Sequence, residues 1–325
     1  MDSEDTRGRV QDLEWTGARP TLSAIVCTFD RPESLSRLLD SFATQTGVPV
    51  DAYEVIVADN NPAGIAASSV LERAQRHPQI RYISAPFGGK CAALRVAINA
   101  AHGQILHFVD DDHLVRPDYV SAILSVFADT TVSVVTGRTG GVVGFPRVAQ
   151  KDTLHRVVYR RRRDLSQVGA GANLSVRRAV LERVGNYDLC LGPGTWVGSA
   201  EDTDLLYRIL KLGYPIHYCP EIRNTHDHRR TDVSQTRNSY FRGKVAFTTK
   251  HLMRGDIVPS LLLLKNVLTL TGQAVTRLAH GDFRSAAAIG RRLAGGPPAV
   301  LYAVLCTIHP GVWRVRASAK TGRRP

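Results

Sequence analysis

Residues 105–117 read ILHFVDDDHLVRP. The first five, Ile105–Val109, form a short apolar run of the kind that makes a buried strand. The run ends directly on Asp110, Asp111 and Asp112, and Pro117 suits the first turn of a following helix. The same alternation extends outward on both sides. Upstream, Gly88-Gly89 opens an Ala-rich helix over about Lys90–His102, preceded by a strand at Ile80–Ser84 and a helix at about Ala66–Arg76. Before these, YEVIVA (53–58) reads as a strand ending on Asp59-Asn60-Asn61-Pro62, a turn-rich cluster. LSAIVCT (22–28) reads as the first strand, and Asp30-Arg31-Pro32 leads it into a helix whose Leu35, Leu38, Leu39 and Phe42 share one face. Downstream, Val132–Thr136 has the look of a fifth strand. Strands alternating with helices predict βαβ units and a mostly parallel sheet. In such sheets ligands gather outside the carboxyl ends of the strands. Three of those ends carry aspartate: Asp30, Asp59 and Asp110–Asp112.

Three adjacent carboxylates after an apolar strand are costly unless a cation lies among them. A hard divalent ion such as Mg²⁺ or Mn²⁺ prefers oxygen ligands and commonly bridges a carboxylate to a diphosphate. Strand alternation would turn Asp110 and Asp112 to one side and Asp111 to the other. The plainer reading is a solvated turn capping the helix that starts near Pro117. A second signal is Ser199-Ala200-Glu201-Asp202, followed by a helix with Leu205, Leu206, Ile209 and Leu210 on its apolar face and Gly213 at its end. Ser199 with an acid three residues on has the form of a capping box. Alternatively, one of the two acids is a general base facing the ligand edge of the sheet. The third signal is His226, in the polar segment Asn224–His228, either plain surface or a ligand of the common imidazole type.

The formal net charge is +13, from 42 Lys+Arg against 29 Asp+Glu. Taken whole, that suggests nucleic acid or an anionic membrane as partner. The excess is not shared. Residues 236–325 hold 15 basic and 2 acidic side chains, which leaves 27 of each sign and no net charge in residues 1–235. Nucleic-acid binding loses its support, because the region with the aspartates contributes no excess. The five cysteines are widely spaced with no C-x-x-C pair, which excludes a zinc knuckle or redox motif and predicts reduced, buried thiols. MDSEDTRGRVQDLEW lacks an apolar leader core, and no 18 uninterrupted apolar residues occur anywhere. The expectation is a cytoplasmic protein without a spanning helix.

In this order the residues resemble glycosyltransferase family 2, the inverting GT-A enzymes that use nucleotide-sugar donors. The resemblance runs from about Leu22 to His228. SAIVCTFDR (23–31) is similar to the family's first strand and its T-x-[ND]-R end, VIVADNN to its second strand with a base-reading aspartate, and GKCAAL (89–94) to its G-K-x-x-A-L segment. VDDDHLVRPDYV resembles the D-x-D motif with P-D-Y after it, and GAGANLSVRRAVLERVGNYD (169–188) resembles the acceptor-side pattern. The family's E-D pair, later G-Y and late histidine are matched by Glu201-Asp202, Gly213-Tyr214 and His226.

The resemblance implies an α/β GT-A fold with a mononucleotide-binding, mostly parallel sheet flanked by helices, followed here by a basic helical C-terminal extension. It implies Mn²⁺ or Mg²⁺ at Asp112, Asp110 and His226, and a catalytic base at Asp202 with Glu201 as rival. Thr28, Asp30, Arg31, Asp59, Lys90, Asp110 and Asp111 would face the donor, and Asn173 and Trp196 the acceptor. Asp59 as a partner for a uracil or thymine imide favours a UDP- or dTDP-sugar. The expected organisation is an N-terminal tail (1–20), a donor half (21–137), an acceptor half (138–235) and the basic helical region (236–325).

Some features depart from the pattern. His113 stands where many members have another acid, and Arg95 where asparagine is frequent. No Q-x-x-R-W segment is present, which points away from polysaccharide-extruding synthases and toward single addition. Arg160–Arg163 would meet a diphosphate, an acidic acceptor or lipid head groups, or form a solvated basic helix face. Trp196 would stack on an acceptor ring or pack within its loop. The C-terminal helices would contact an anionic membrane at the inner face of the cell membrane, reaching a lipid-linked acceptor, or form a homodimer interface or a lid. Two rival readings predict different features: a non-catalytic nucleotide-sugar or anion-binding module would not need Asp202. A nucleotidyltransferase would carry a Gly-rich loop after the first strand, where this chain has TFDRPES.

Overall fold

The computed structural model describes residues 19–141, 153–169, 171–226 and 233–308. Most of the tail 1–20, the Asp227-His228 end of the late histidine segment and the terminal Lys320–Pro325, expected to be a disordered tail, lie outside the described residues. The chain divides into two compact units. One holds the described residues up to Tyr187 together with those from Leu205 to His226; the other holds Asp188–Asp204 and the residues from Val233 onward.

The first unit is built on a nine-stranded sheet. Its opening half runs β1 (Leu22–Thr28), α1 (Pro32–Ala43), β2 (Tyr53–Asp59), α2 (Ala67–Arg76), β3 (Ile80–Ser84), α3 (Gly89–Ala100) and β4 (Ile105–Asp110). These four strands pair in parallel in the order β3-β2-β1-β4, as the alternation predicts. β2 is buried along its whole length and β1 nearly so, which is why both read as continuous apolar runs rather than alternating ones. Leu35, Leu38, Leu39 and Phe42 of α1 enter a core with Val26, Val55, Val57 and Ile123.

Beyond β4 the sheet becomes mixed. β5 (His113–Val115), α4 (Tyr119–Phe127), β6 (Val134–Gly140), β7 (Val157–Tyr159), β8 (Leu174–Arg177), α5 (Arg178–Val184) and β9 (Ile216–His226) complete the unit. β8 pairs antiparallel with both β4 and β6, and β9 pairs parallel with β6 but antiparallel with β5 and β7. The sheet is therefore parallel on the side the sequence read best and mixed on the other. One sheet carries residues of both expected halves, so any donor–acceptor division is functional and not a break in the fold.

Asn173 shows how this junction is held. Its amide donates to the carbonyls of Ile222 (3.0 Å) and Arg138 (3.2 Å), and its Oδ1 accepts from the Tyr119 hydroxyl at 2.8 Å. A Cβ at Gly137 would collide with Ile222 O and the Asn173 amide, so glycine is required beside the register shift between Gly137 and Arg138. Asn173 is 1% exposed, and its side chain joins strands in this structure. Arg160–Arg163 follows the end of β7 and enters a 3₁₀ helix, Arg162–Gln167, with Arg162 donating to the Tyr207 hydroxyl at 3.2 Å.

The helix α6 (Glu201–Lys211) starts in the second unit. That unit continues with α7 (Val233–Leu252), α8 (Val258–Ala279), α9 (Phe283–Ala294) and α10 (Gly296–Ile308). Its core gathers Leu191, Val197, Phe241, Val245, Ala246, Leu270, Ala299 and Ala303. One sequence expectation is revised here. α8 is a single 22-residue helix, long and apolar enough by length and composition to cross a membrane. Pro259 sits in its first turn, where a missing N–H costs nothing.

Candidate active site

The carboxyl ends of β1, β2 and β4 bring the predicted aspartates to one edge of the sheet. After β1 the chain turns at Asp30 with φ 57°. This left-handed geometry is one that aspartate tolerates better than most residues. The turn lets Arg31 reach back to the β4 end, where its Nη1 lies 2.9 Å from Asp111 Oδ1 and 2.8 Å from Asp112 Oδ2. Thr28 Oγ1 donates to the other Asp111 oxygen at 2.8 Å. Asp111 is thus a bracket between β1 and β4. It lies past the strand end and shares Arg31 Nη1 with Asp112, so the alternation expected from the sequence stops at Asp110. Asp30 itself is exposed.

Asp110 and Asp112 come together with His113. Lys90, in the first turn of α3, donates to Asp110 Oδ1 at 2.8 Å. Two glycines with positive φ, Gly88 at 89° and Gly89 at 76°, deliver it there, and a Cβ on Gly88 would meet that of Ala92 at 2.5 Å. Ligand-type atoms of Asp110, Asp112 and His113 all lie within 4.8 Å of one another. His113 pairs with His226 across the antiparallel β5–β9 ladder, their rings 5.0 Å apart in an edge-on arrangement. His226 Nε2 stands 3.4 Å from Asp112 Oδ2. The structure therefore brings Asp110, Asp112 and His226 together and adds His113, which the sequence reading treated only as a departure. The signal was present: an imidazole directly after three carboxylates is itself a ligand type.

The three aspartates are held in different states. Burial alone would raise every one of them. For Asp110 burial is the largest influence, and the Lys90 ammonium together with His113 overcomes it and holds the carboxyl below its ordinary value. For Asp112, contacts with His113, His226 and Arg31 overcome burial and hold it well below the usual range. For Asp111 burial wins, reinforced by the neighbouring aspartates against Arg31 and Thr28, and the carboxyl is pushed up to about 6.

Asp112 Oδ1 and His113 Nδ1 are both buried and stand 3.1 Å apart as an ion pair, with no further hydrogen-bond partner. Two orphaned buried ligand atoms beside an ionised carboxylate fit a divalent cation, and carboxylate oxygens with an imidazole suit Mn²⁺ or Mg²⁺. Asp59 is 1% exposed and already engaged. Its oxygens accept from the N–H groups of Asn61 (2.9 Å) and Ala66 (3.2 Å) and from the Tyr82 hydroxyl (3.2 Å), so it shapes the turn after β2.

In the second unit, α6 begins at Glu201, leaving Ala200 between it and Ser199. The Ser199 hydroxyl donates to the Ser239 carbonyl at 2.8 Å, so the capping-box reading gives way to a tie onto α7. Ala200 adopts φ 79°, a strained value for a residue with a Cβ, immediately before the acid pair. Glu201 is buried at 6% exposure and Asp202 is half-buried. The same turn is pinned by Asp204, whose Oδ1 lies 2.9 Å from His251 Nε2, both groups buried. Trp196 is 42% exposed, with Tyr302 5.8 Å away and the Arg242 guanidinium 5.0 Å above its ring. It is a half-packed aromatic with one open part.

A nucleotide-binding sheet edge with a buried cluster of metal-ligand type defines the GT-A class. The model of "Glycosyl transferase family 2" matches residues 23–185, half of the chain, and the chain belongs to that family. Among characterised relatives, the succinoglycan biosynthesis protein ExoM of Rhizobium meliloti is 28% identical over 201 residues, 60% of this chain and 63% of ExoM. The pre-mycofactocin glycosyltransferase of Mycobacterium tuberculosis is 28% identical over 185 residues, 54% of this chain and 37% of the relative. The chain thus spans less than two thirds of the length of these relatives. Among solved structures, the mannosyltransferase PcManGT of Pyrobaculum calidifontis in complex with GDP-Man and Mn²⁺ superposes with a TM-score of 0.59 at 20% identity, covering 90% of this chain and 88% of that one. S. aureus TarS 1-349 with UDP-GlcNAc gives 0.56 at 18% identity, covering 70% and 65%. At these identities the structural likeness establishes the fold.

Proposed function

We propose that the protein is an inverting, metal-dependent glycosyltransferase that moves one sugar from a nucleoside-diphosphate sugar to a hydroxyl acceptor. The observation that carries this is the buried Asp110–Asp112–His113 cluster with its orphaned Asp112 and His113 atoms. Asp112, Asp110 and His226, with His113 added, would hold Mn²⁺ or Mg²⁺. When bound there, the ion would neutralise charge growing on the diphosphate leaving group. Lys90 supplies a second positive charge on the same edge, and Arg31 with Thr28 fixes Asp111 so that the β4 end keeps its shape. Asp30, exposed beside Arg31, and the turn held by Asp59 line the donor side.

Asp202 takes the proton from the acceptor hydroxyl as its oxygen bonds to the anomeric carbon. The bond from that carbon to the diphosphate oxygen breaks with its electron pair, and the centre inverts in a single displacement. Half-burial of Asp202, against the deeper burial of Glu201, favours Asp202 for this role. The open part of Trp196 is the acceptor-side contact. A pyrimidine base is favoured by Asp59 alone, whose oxygens also hold the turn after β2. The enzyme would work in the cytoplasm or peripherally at the inner face of the cell membrane.

The test is a screen of UDP-, dTDP- and GDP-sugars with Mn²⁺ or Mg²⁺, read by thermal shift and donor hydrolysis. One donor should stabilise the protein only with metal, and Asp112→Asn should remove that stabilisation. Asp202→Asn should leave binding intact while turnover collapses. Stabilisation by no nucleotide overturns the reading, and preserved turnover in the Asp202 variant removes Asp202 from its role.

A further inference from the structure

The search beyond the carboxylate cluster leads to the surface of the second unit. Of the twenty large hydrophobic side chains exposed among the described residues, twelve lie between Leu252 and Ile308. Six of these belong to α8 or the residue before it: Ile257, Leu261, Leu264, Leu268, Val275 and Leu278, each half or more exposed. Their spacings of four, three, four, seven and three residues place them within an arc of about 100° on a helix of 3.6 residues per turn. The adjoining arc carries Pro259, Leu263, Val267, Leu270 and Ala274, which are buried or packed into the unit's own core. The remaining arc is mostly polar, with Lys265, Thr269, Gln273 and Thr276 beside Leu262. One helix thus presents a packed face, a bare apolar stripe and a polar face.

Two occupants fit such a stripe by shape, and charge separates them. Arg254, Lys265, Arg277, Arg284 and Arg291 are exposed around it. The two carboxylates of residues 236–325 do not offset them. Asp256 is buried, and Asp282 is engaged with the Arg277 guanidinium at 3.0 Å and with the Ser285 N–H at 3.1 Å. A second copy would bring two regions of net charge +13 together across the stripe. An anionic bilayer complements the same surface, with leucines entering the acyl boundary and arginines meeting the phosphates. α8 is long enough to span, but its packed face is committed to the protein core, so lipid can reach it from one side only. We propose that α8 is an in-plane anchor, embedding Ile257, Leu261, Leu264, Leu268, Val275 and Leu278 in the interface of an anionic lipid bilayer. This stands independently of the transfer chemistry.

The experiment is flotation of the full chain with vesicles of phosphatidylcholine alone or with 30% phosphatidylglycerol, beside analytical ultracentrifugation without lipid. The full chain should float with the anionic vesicles at least tenfold more than with the neutral ones, and less as salt rises. Leu264→Glu/Leu268→Glu should lose at least tenfold in vesicle binding with an unchanged thermal midpoint, since both side chains are exposed in the native fold. Lys265→Glu, which leaves the stripe intact, should weaken anionic binding several-fold and keep the fold in any event. Equal binding to both vesicle types, no binding to either, or binding indifferent to these changes overturns the proposal. A concentration-dependent dimer dissolved by the double variant would assign the stripe to a second copy instead.

Discussion

The parallel strands of the first unit carry buried acids at both ends, and the two ends are built to opposite rules. At the amino ends, Glu54 is wholly buried and completely answered. It accepts from Ser23 Oγ (2.6 Å), the His102 N–H (2.6 Å) and Arg81 Nη1 (2.5 Å). Burial alone would raise this carboxyl, and these partners overcome it and hold it below its ordinary value. At the carboxyl ends, three aspartates crowd together with two orphaned ligand atoms among them. A satisfied network stabilises; a partly satisfied one waits for a ligand. The same sheet therefore separates stability from chemistry by about the length of a strand.

The largest expected effect breaks the carboxyl end alone. Asp112→Asn should reduce sugar transfer by a factor on the order of 10² or more and lower the urea midpoint modestly, because it gives up the ion pairs with Arg31 and His113. Steady-state kinetics and urea melts on one preparation would show it; a large stability loss with intact specific activity would reverse the assignment of the two ends. The mirror experiment is Glu54→Gln. Removing one partner of a buried ion pair should cost about 3 kcal/mol, with transfer per folded molecule unchanged.

Acid sharpens the contrast. The Glu54 carboxyl titrates lower in the folded chain than in the unfolded one, so its contribution is complete above the unfolded value. It is lost only as pH falls through the lower folded value. His107 acts at milder pH. It is fully buried between Ser175 Oγ (2.8 Å) and the Tyr119 hydroxyl (3.0 Å), and burial pushes it down to about 3. Below the ordinary imidazole value of 6.5 the unfolded chain binds a proton that the folded chain refuses. His107 should therefore lower stability by about 2 kcal/mol between pH 7 and pH 5, a drop read in Asp111→Asn and in Asp111→Asn/Glu54→Gln alike. In the wild type the raised Asp111 carboxyl takes up a proton in the folded chain over the same range and offsets it. Urea melts at the two pH values test this, and a drop absent from both proteins would remove His107 as its source. The smallest effect is Thr28→Val, which takes one hydrogen bond from Asp111 and leaves Arg31 in place. It should cost about 1 kcal/mol by chemical denaturation and change transfer only a few-fold.

The legible parts of the chain share a physical character. β1 to β4 and the helices between them announce themselves because each is a local pattern: a buried run, a 3.6-residue stripe, a glycine pair. Asp110 could be read as the end of its strand, whereas Asp111 and Asp112 lie past that end and share one Arg31 nitrogen, which alternation did not predict. Glu54 gave no such sign, sitting inside YEVIVA with partners 31, 27 and 48 residues away. Asn173 belonged to a recognisable segment, but its task depends on β6, β8 and β9 meeting, which no local pattern encodes.

By itself the sequence determined the alternation of strands and helices, the aspartates at the strand ends and the split between a neutral region and a basic one. These follow from the order of side chains along the chain. Only the tertiary structure decided that His113 faces His226 across β5 and β9, that half the sheet is mixed, and that α8 leaves a bare stripe between a packed face and a polar one. Each of these depends on which distant segments pair and on what surface remains once they have. Long-range pairing is paid in chain entropy and decided by packing, and neither is written in any one stretch of residues.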